Sequence, residues 1–175
     1  IYGKKGWRAL TIRSLSIGQG EIGVTPLQLA NQMAAIANGG YYITPHINKH
    51  DSMQLHKHQI DIDAKYFDVV KKGMHRVMTN GTGRYYLIDG IEVAGKTGTA
   101  ENPHGKDHAV FIGYAPLENP QIAVAVVVEN AGFGATWAAP IASLMIEQYL
   151  TGEIKRKDLK NRIANAVINE SVKIW

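Results

Sequence analysis

Residues 91–130 read IEVAGKTGTA, ENPHGKD, HAVFIGYA, PLENPQ and IAVAVVVEN in succession, and this stretch decides the fold. Three runs rich in β-type residues are separated by breaks of Asn, Pro, Gly and Asp, the residues of tight turns. Connections this short suit antiparallel hairpins, because parallel neighbours need a crossover of about a dozen residues or more. The stretch is expected to form a three-stranded antiparallel meander. Residues 122–128 are apolar without alternation, so the last strand should be covered on both faces, with helical layers on either side of the sheet.

Working outward, Thr25 begins a well-specified helix. It is an N-cap residue followed by Pro26 at the first helical position and Gln28 at the capping-box position, with Val24 placed to staple Leu29. The helix LQLANQMAAIA runs to Asn38-Gly39-Gly40, and its alanines predict close packing on a neighbour. Residues 41–47 read as a short extended piece and 51–63 as a polar surface loop. A second helix starts at Asp63, with Phe67, Val70, Met74, Val77 and Met78 on one face, and stops at residues 79–81. After residues 132–134, TWAAPIASLMIEQYL is a helix in which Pro140 is tolerable only near the first turn, ending at Thr151-Gly152. Leu159, Ile163, Ala166 and Val167 can line a weaker amphipathic helix.

Composition agrees with an ordinary globular core. The 175 residues are 45% apolar and 19% charged, with 18 Gly and 6 Pro, and a folded chain of this size buries roughly 70% of its unfolded surface. The absence of cysteine excludes disulfides, a thiolate nucleophile and Cys-ligated metal or iron–sulfur sites, and leaves the redox compartment open. The longest apolar run, residues 122–128, is far short of the roughly 20 residues that span a bilayer. The N-terminal residues carry no signal-peptide stretch, so any membrane anchor is expected outside this chain. Residues 151–175 hold six basic and three acidic residues, which is three of the four net positive charges. No basic face interleaved with aromatics appears, so nucleic acid is not expected as a partner. Residues 1–150 and a basic, weakly amphipathic tail, 151–175, are the expected divisions.

The chemistry lies in Lys96-Thr97-Gly98-Thr99 on the first strand of the meander. Period two places Lys96 and Gly98 on one face and Thr97 and Thr99 on the other. If this strand is a sheet edge, its free N–H and C=O groups can pair with an extended peptide. The hydroxyls can then hold a carboxylate while Lys96 supplies positive potential, and Gly98 admits close approach. Taken alone, the tetrapeptide is equally a surface strand with a snorkelling lysine and two β-favouring threonines.

Its context resembles a known family. Residues 16–40 (SIGQGEIGVTPLQLANQMAAIANGG), 78–83 (MTNGTG), 93–116 (VAGKTGTAENPHGKDHAVFIGYAP) and the strand and helix of 122–150 resemble the C-terminal part of the transpeptidase domain of class B penicillin-binding proteins. The likeness is greatest to the elongation-type penicillin-binding protein 2 group. It implies an α+β fold, an antiparallel sheet sandwiched between helical layers as in serine β-lactamases, of which this chain is the C-terminal portion. It implies a D,D-transpeptidase that cross-links peptidoglycan stem peptides ending in D-Ala-D-Ala through a serine acyl-enzyme, is acylated by β-lactam antibiotics, and needs no cofactor and no metal. It also implies a membrane glycan polymerase as partner, and a place on the extracytoplasmic (periplasmic) face of the bacterial inner membrane.

The family uses S-x-x-K, S-x-N and K-[ST]-G, and only the third is found. None of Ser14, Ser16, Ser52, Ser143 or Ser171 is followed by Lys three residues on or by Asn two residues on. The chain is therefore expected to be a portion without the nucleophile, inactive alone. By resemblance, Lys96 bonds the serine of the missing middle motif, Thr97 and Thr99 hold the ligand carboxylate beside Gly98, and the Thr99 N–H is half of the oxyanion hole. Lys96 and Thr99 are thus the catalytic candidates and Thr97, Gly98 and Thr99 the substrate-binding ones. A β-lactamase portion is disfavoured by SIGQG and VTPLQLA; a non-catalytic interaction module is the alternative of another class. The family places further strands beside residues 122–128, so the isolated chain is expected to self-associate through that edge. A stable monomer by light scattering in dilute solution contradicts this.

Other patterns carry less. His46 with His50 and His56 with His58 invite a metal, but no feature fixes them on one face and Pro45 opposes a helix there. His104 and His108 flank the hairpin and are expected to be structural or peripheral. Residues 81–83 lack the Lys-Ser/Thr of a phosphate loop, and Trp137 reads as core or cleft wall.

Overall fold

The computed structural model describes residues 6, 8–20, 22–47 and 56–168. In chain order the elements are α1 (Ala9–Ser16), α2 (Pro26–Ala37), β1 (Tyr41–Ile43), β2 (Lys57–Gln59), α3 (Ala64–Thr79), a 3-10 turn at Arg84–Tyr86, β3 (Ala94–Ala100), β4 (His108–Ala115), β5 (Ile122–Val128), α4 (Ala138–Thr151) and α5 (Lys157–Ala164). The meander forms as expected: β3, β4 and β5 pair antiparallel in that order. Thr97 lies opposite Phe111, and Phe111 opposite Val126.

Period two divides the sheet into two apolar faces. On one face Ala109, Phe111, Ala115, Val124 and Val126 join Ala138, Ala142 and Ile146 of α4 in one buried cluster. On the other, Ala94 and Tyr114 join Met33 and Ala37 of α2 and Met74 of α3. Helical layers therefore cover both sides of β5, which is why its sequence does not alternate. Phe111 fits because its ring takes the space over two glycines: a Cβ on Gly95 would lie 2.4 Å from it and one on Gly113 3.0 Å.

The helix signals of α2 operate as read. Thr25 accepts from the Gln28 N–H while the Gln28 side chain accepts from the Thr25 N–H, a full capping box, with Pro26 at the first turn. The helix closes with Gly39 and Gly40 at positive φ and a Gly40 N–H bond to Ala35 O at 3.0 Å. α4 carries Pro140 in its first turn and ends on Gly152, left-handed at φ 78.

Several expectations need correction. Residues 57–59, inside the expected surface loop of 51–63, pair with β1 and form β2. Its alternation was invisible because every side chain of β2 is exposed. Val70 is 44% exposed, so the buried stripe of α3 is narrower than expected, Phe67, Met74 and Met78. The last helix stops at Ala164, and Val167 beyond it is 82% exposed. α1 was not expected at all; none of its residues is buried.

An ion pair fixes the chain after α4. Glu147, 3% exposed, accepts from Arg156 Nε at 3.0 Å and from the Lys155 N–H at 3.1 Å. The Arg156 guanidinium also donates to Ser143 O at 2.9 Å and Leu87 O at 3.2 Å. These bonds satisfy a buried carboxylate that would otherwise be costly to desolvate.

Tyr114 has the opposite problem. It is fully buried, and its hydroxyl meets no hydrogen-bond partner among the described residues. Burial, with a smaller contribution from Glu118, pushes its pKa from 10.0 up to about 12. A raised folded pKa means that the unfolded chain loses this proton first. Stability should be fully retained below pH 10 on this account and should fall as pH rises from 10.0 toward about 12. Urea midpoints across that range test this, with Tyr114→Phe expected to remove that part of the decline.

Candidate functional site

β3 is an edge strand: among the described residues its only sheet neighbour is β4. Lys96 stands on the face covered by α2 but remains exposed, because α2 lies over β4 and β5. The opposite face carries Thr97, only 9% exposed, and Thr99. The structure thus separates ammonium and hydroxyls between the two faces as period two requires.

The hydrogen bonds show which way the strand's backbone points. In an antiparallel ladder the N–H and C=O of one residue face the same side, and successive residues alternate. Thr99 O accepts from Gln19 Nε2 at 3.0 Å, away from β4, and Thr97 O accepts from Lys96 Nζ at 2.6 Å. The Thr97 and Thr99 N–H groups therefore face the open edge, while those of Lys96 and Gly98 face β4.

The side chains retain capacity for a ligand. The hydroxyls of Thr97 and Thr82 lie 2.6 Å apart. Only one of the two hydrogens is used in that bond, so the other hydroxyl can still donate to a carboxylate. Lys96 uses one of its three N–H donors on Thr97 O. No side chain of β3 is among those lining the concavity of about 680 Å³ around Tyr85, Tyr86, Leu87, Lys155 and Arg162. The K-T-G site is an open edge.

What keeps that edge straight lies behind it. The loop between β5 and α4 crosses the sheet so tightly that a Cβ on Gly134 would lie 2.2 Å from Gly98 O and 2.3 Å from Val110 O. The same loop is laced to the β3–β4 turn. Asn102 donates to Asn130 Oδ1 at 2.7 Å, the Gly132 N–H donates to Asp107 O at 2.7 Å, and the Asn130 N–H donates to His108 Nδ1 at 3.0 Å. His108 is thus structural, and His104 is exposed at the turn.

The contacts of His46 and His58 are made within their own segment. His58 stacks on Tyr42 and bonds the Thr44 hydroxyl, and His46 Nδ1 lies 3.2 Å from Thr44 O. His50 and Ser52 lie outside the described residues, as does Ser171. Among the described residues no three His, Asp or Glu side chains gather as a metal site. Trp137 packs against the α4-side core.

Sequence reasoning missed two contributors. Thr82 was dismissed with residues 81–83 as a failed phosphate loop, yet its hydroxyl meets Thr97. Gln19 lay within SIGQG, a segment that carried family likeness without a role. Neither shows in periodicity, since both act across 15 or more residues of chain.

Comparisons with known proteins concern the same segments. The family model described as "Penicillin binding protein transpeptidase domain" matches residues 2–147. The chain is 33% identical over 185 residues to the peptidoglycan D,D-transpeptidase MrdA of Haemophilus influenzae, covering 90% of this chain and 28% of that protein. Its fold superposes on Pseudomonas aeruginosa PBP2, solved in complex with WCK 5153, with a TM-score of 0.74 and 36% identity over 88% of this chain and 36% of that one. It also matches the penicillin G acyl-enzyme of penicillin-binding protein A from Mycobacterium tuberculosis, with a TM-score of 0.64 and 32% identity over 78% of this chain and 34% of that one.

Substituting Gly134 by Ala should push the crossing loop off β3 and cost about 2 kcal/mol, the scale of overpacking a tight site. Urea denaturation measures the loss, and wild-type stability in Gly134→Ala contradicts the contact. With a family model matching residues 2–147 of its 175 and relatives of the PBP2 type at about one-third identity, the chain belongs to the penicillin-binding protein transpeptidase family.

Proposed function

We propose that this chain is the K-T-G-bearing portion of a peptidoglycan D,D-transpeptidase, with residues 1–150 in the transpeptidase domain and 151–175 as a basic tail. The reading rests on one observation: an edge strand that carries Lys96 on one face and the Thr97 and Thr99 hydroxyls on the other, with the Thr99 N–H outward along the open edge between them. An extended stem peptide ending in D-Ala-D-Ala pairs with such an edge as an added strand. Thr97 and Thr99 hold its terminal carboxylate, Gly98 lets the peptide approach, and Lys96 raises the local positive potential.

In this reading the serine and its lysine base come from segments beyond this chain. The serine oxygen attacks the carbonyl of the penultimate D-Ala, the base takes the serine proton, and the terminal D-Ala leaves with a proton on its amine. An amine of a second stem peptide then displaces the serine, forming the cross-link and restoring the hydroxyl. The Thr99 N–H supplies one donor to the oxyanion of both steps, an interaction typically contributing about 3 kcal/mol. β-Lactams enter as carboxylate-bearing analogues of the same peptide end, and penicillin G is the acylating group in the mycobacterial relative.

The same reading places the protein at the extracytoplasmic face of the inner membrane, where peptidoglycan is built and cell shape is set, with a membrane glycan polymerase as partner. Among the described residues no helix is long and apolar enough to cross a membrane. The outer edge of β5 has no strand beside it among the described residues, and Val127 is 37% exposed. Both support self-association of the chain on its own.

A fluorescent penicillin tests the proposal. The chain alone should take no covalent label, and the full-length protein that carries it should be labelled. Label on this chain alone contradicts the absence of a nucleophile; no label on the full-length protein contradicts the transpeptidase reading.

A further inference from the structure

The end of α1 holds one residue in an unusual relation to the site strand. The Gly18 N–H bonds Leu15 O at 3.0 Å and the Gln19 N–H bonds Ser14 O at 3.1 Å, with Gly18 left-handed at φ 77. This is a Schellman ending, which fixes the backbone of Gln19 at the second position past the cap. From that mount the half-buried side chain reaches β3. Its Nε2 donates to Thr99 O at 3.0 Å and its Oε1 accepts from the Glu101 N–H at 3.4 Å.

A neighbouring strand running parallel to β3 would contact a C=O and the N–H two residues further on, as this amide does. The carboxamide therefore imitates one residue of such a strand and closes the edge at Thr99 O and Glu101. Short of that point the Thr97 and Thr99 N–H groups stay outward-facing. A pairing peptide can run no further along β3, and the Thr99–Ala100 and Ala100–Glu101 peptide planes cannot turn without breaking a bond to Gln19; the Thr99 N–H lies on the adjoining Gly98–Thr99 plane, which meets the held plane at the Thr99 Cα.

We propose that Gln19 is a positioning residue of the transpeptidase site: by capping Thr99 O and the Glu101 N–H it sets where the bound peptide must end and holds the Thr99 N–H aimed at the reacting carbonyl. The inference rests on the transpeptidase reading above. Gln19 touches no reacting atom itself; it acts through the orientation of β3, where displacements of about 1 Å can cost up to about a hundredfold in rate.

Gln19→Ala removes both bonds. Gln19→Glu keeps the acceptor for Glu101 but sets a carboxylate oxygen against Thr99 O. When protonated, that carboxyl again has one donor and one acceptor and reproduces the amide. An ordinary glutamate titrates at about 4.3, and the Thr99 carbonyl facing it moves it upward.

The test is acylation of the full-length protein by a fluorescent penicillin, with thermal midpoints recorded alongside. At pH 7.5 both variants should acylate about tenfold more slowly than wild type while keeping its midpoint. Relative to wild type at each pH, Gln19→Glu should recover as pH falls to about 5, and Gln19→Ala should not. Wild-type rates in both variants, or loss in Gln19→Glu without recovery on acidification, overturn the proposal. Amide exchange in the chain itself gives a reading independent of labelling. Gln19→Ala should speed exchange of the Glu101 N–H about tenfold, and unchanged exchange overturns the capping bond. A wild-type protein that takes no label, with the exchange result as expected, refutes the transpeptidase reading and leaves the cap established.

Discussion

The outer edge of β3 has no strand beside it among the described residues, and the structure is organised around holding the strand without one. Its N–H and C=O groups at Thr97 and Thr99 point outward, where a neighbouring strand would otherwise fix them. Support comes from the paired side, from the face behind and, at the edge itself, from single side-chain bonds. β4 pairs along all seven residues, Gly134 presses from one face, the Thr82 hydroxyl meets Thr97, and Gln19 caps the far end. An edge held on three sides is both rigid and available, which is what recognition of an extended peptide needs.

The rest of the molecule supplies the platform. Phe111 settles over Gly95 and Gly113, whose missing side chains leave room for its ring on the face of the sheet. The two apolar faces then bind α4 on one side and α2 with α3 on the other. Glu147 and Arg156 join the end of α4 to the carbonyls of Ser143 and Leu87, tying the chain that follows α4 to the α4-side core. Rigidity behind the edge is thus built from small residues that admit close approach and from one buried ion pair whose bonds are complete.

Much of this was legible in the sequence because local chemistry specifies it. The meander followed from turn residues and short connections, α2 from its capping box, and the split of Lys96 from Thr97 and Thr99 from period two alone. The K-T-G-T segment became a site only through its resemblance to a family, since four residues cannot distinguish a ligand edge from a surface strand. What stayed hidden was long-range or fully exposed. β2 has no buried side chain to create a pattern, α1 none to reveal a helix, and Gln19 and Thr82 act through single bonds to distant backbone or hydroxyl. Such bonds leave no periodic trace, because they depend on where two separate segments meet.

The central claim is that β3 presents its Thr97 and Thr99 N–H groups outward while its intervening N–H groups are bound to β4. Amide hydrogen exchange resolved by residue in the isolated chain measures this alternation directly. The account predicts exchange at Lys96 and Gly98 slower than at Thr99 by at least about a hundredfold. Equal protection at Thr99 and Gly98 would mean that the edge is closed, and the oxyanion donor, the ligand pairing and the role of Gln19 would all have to be abandoned.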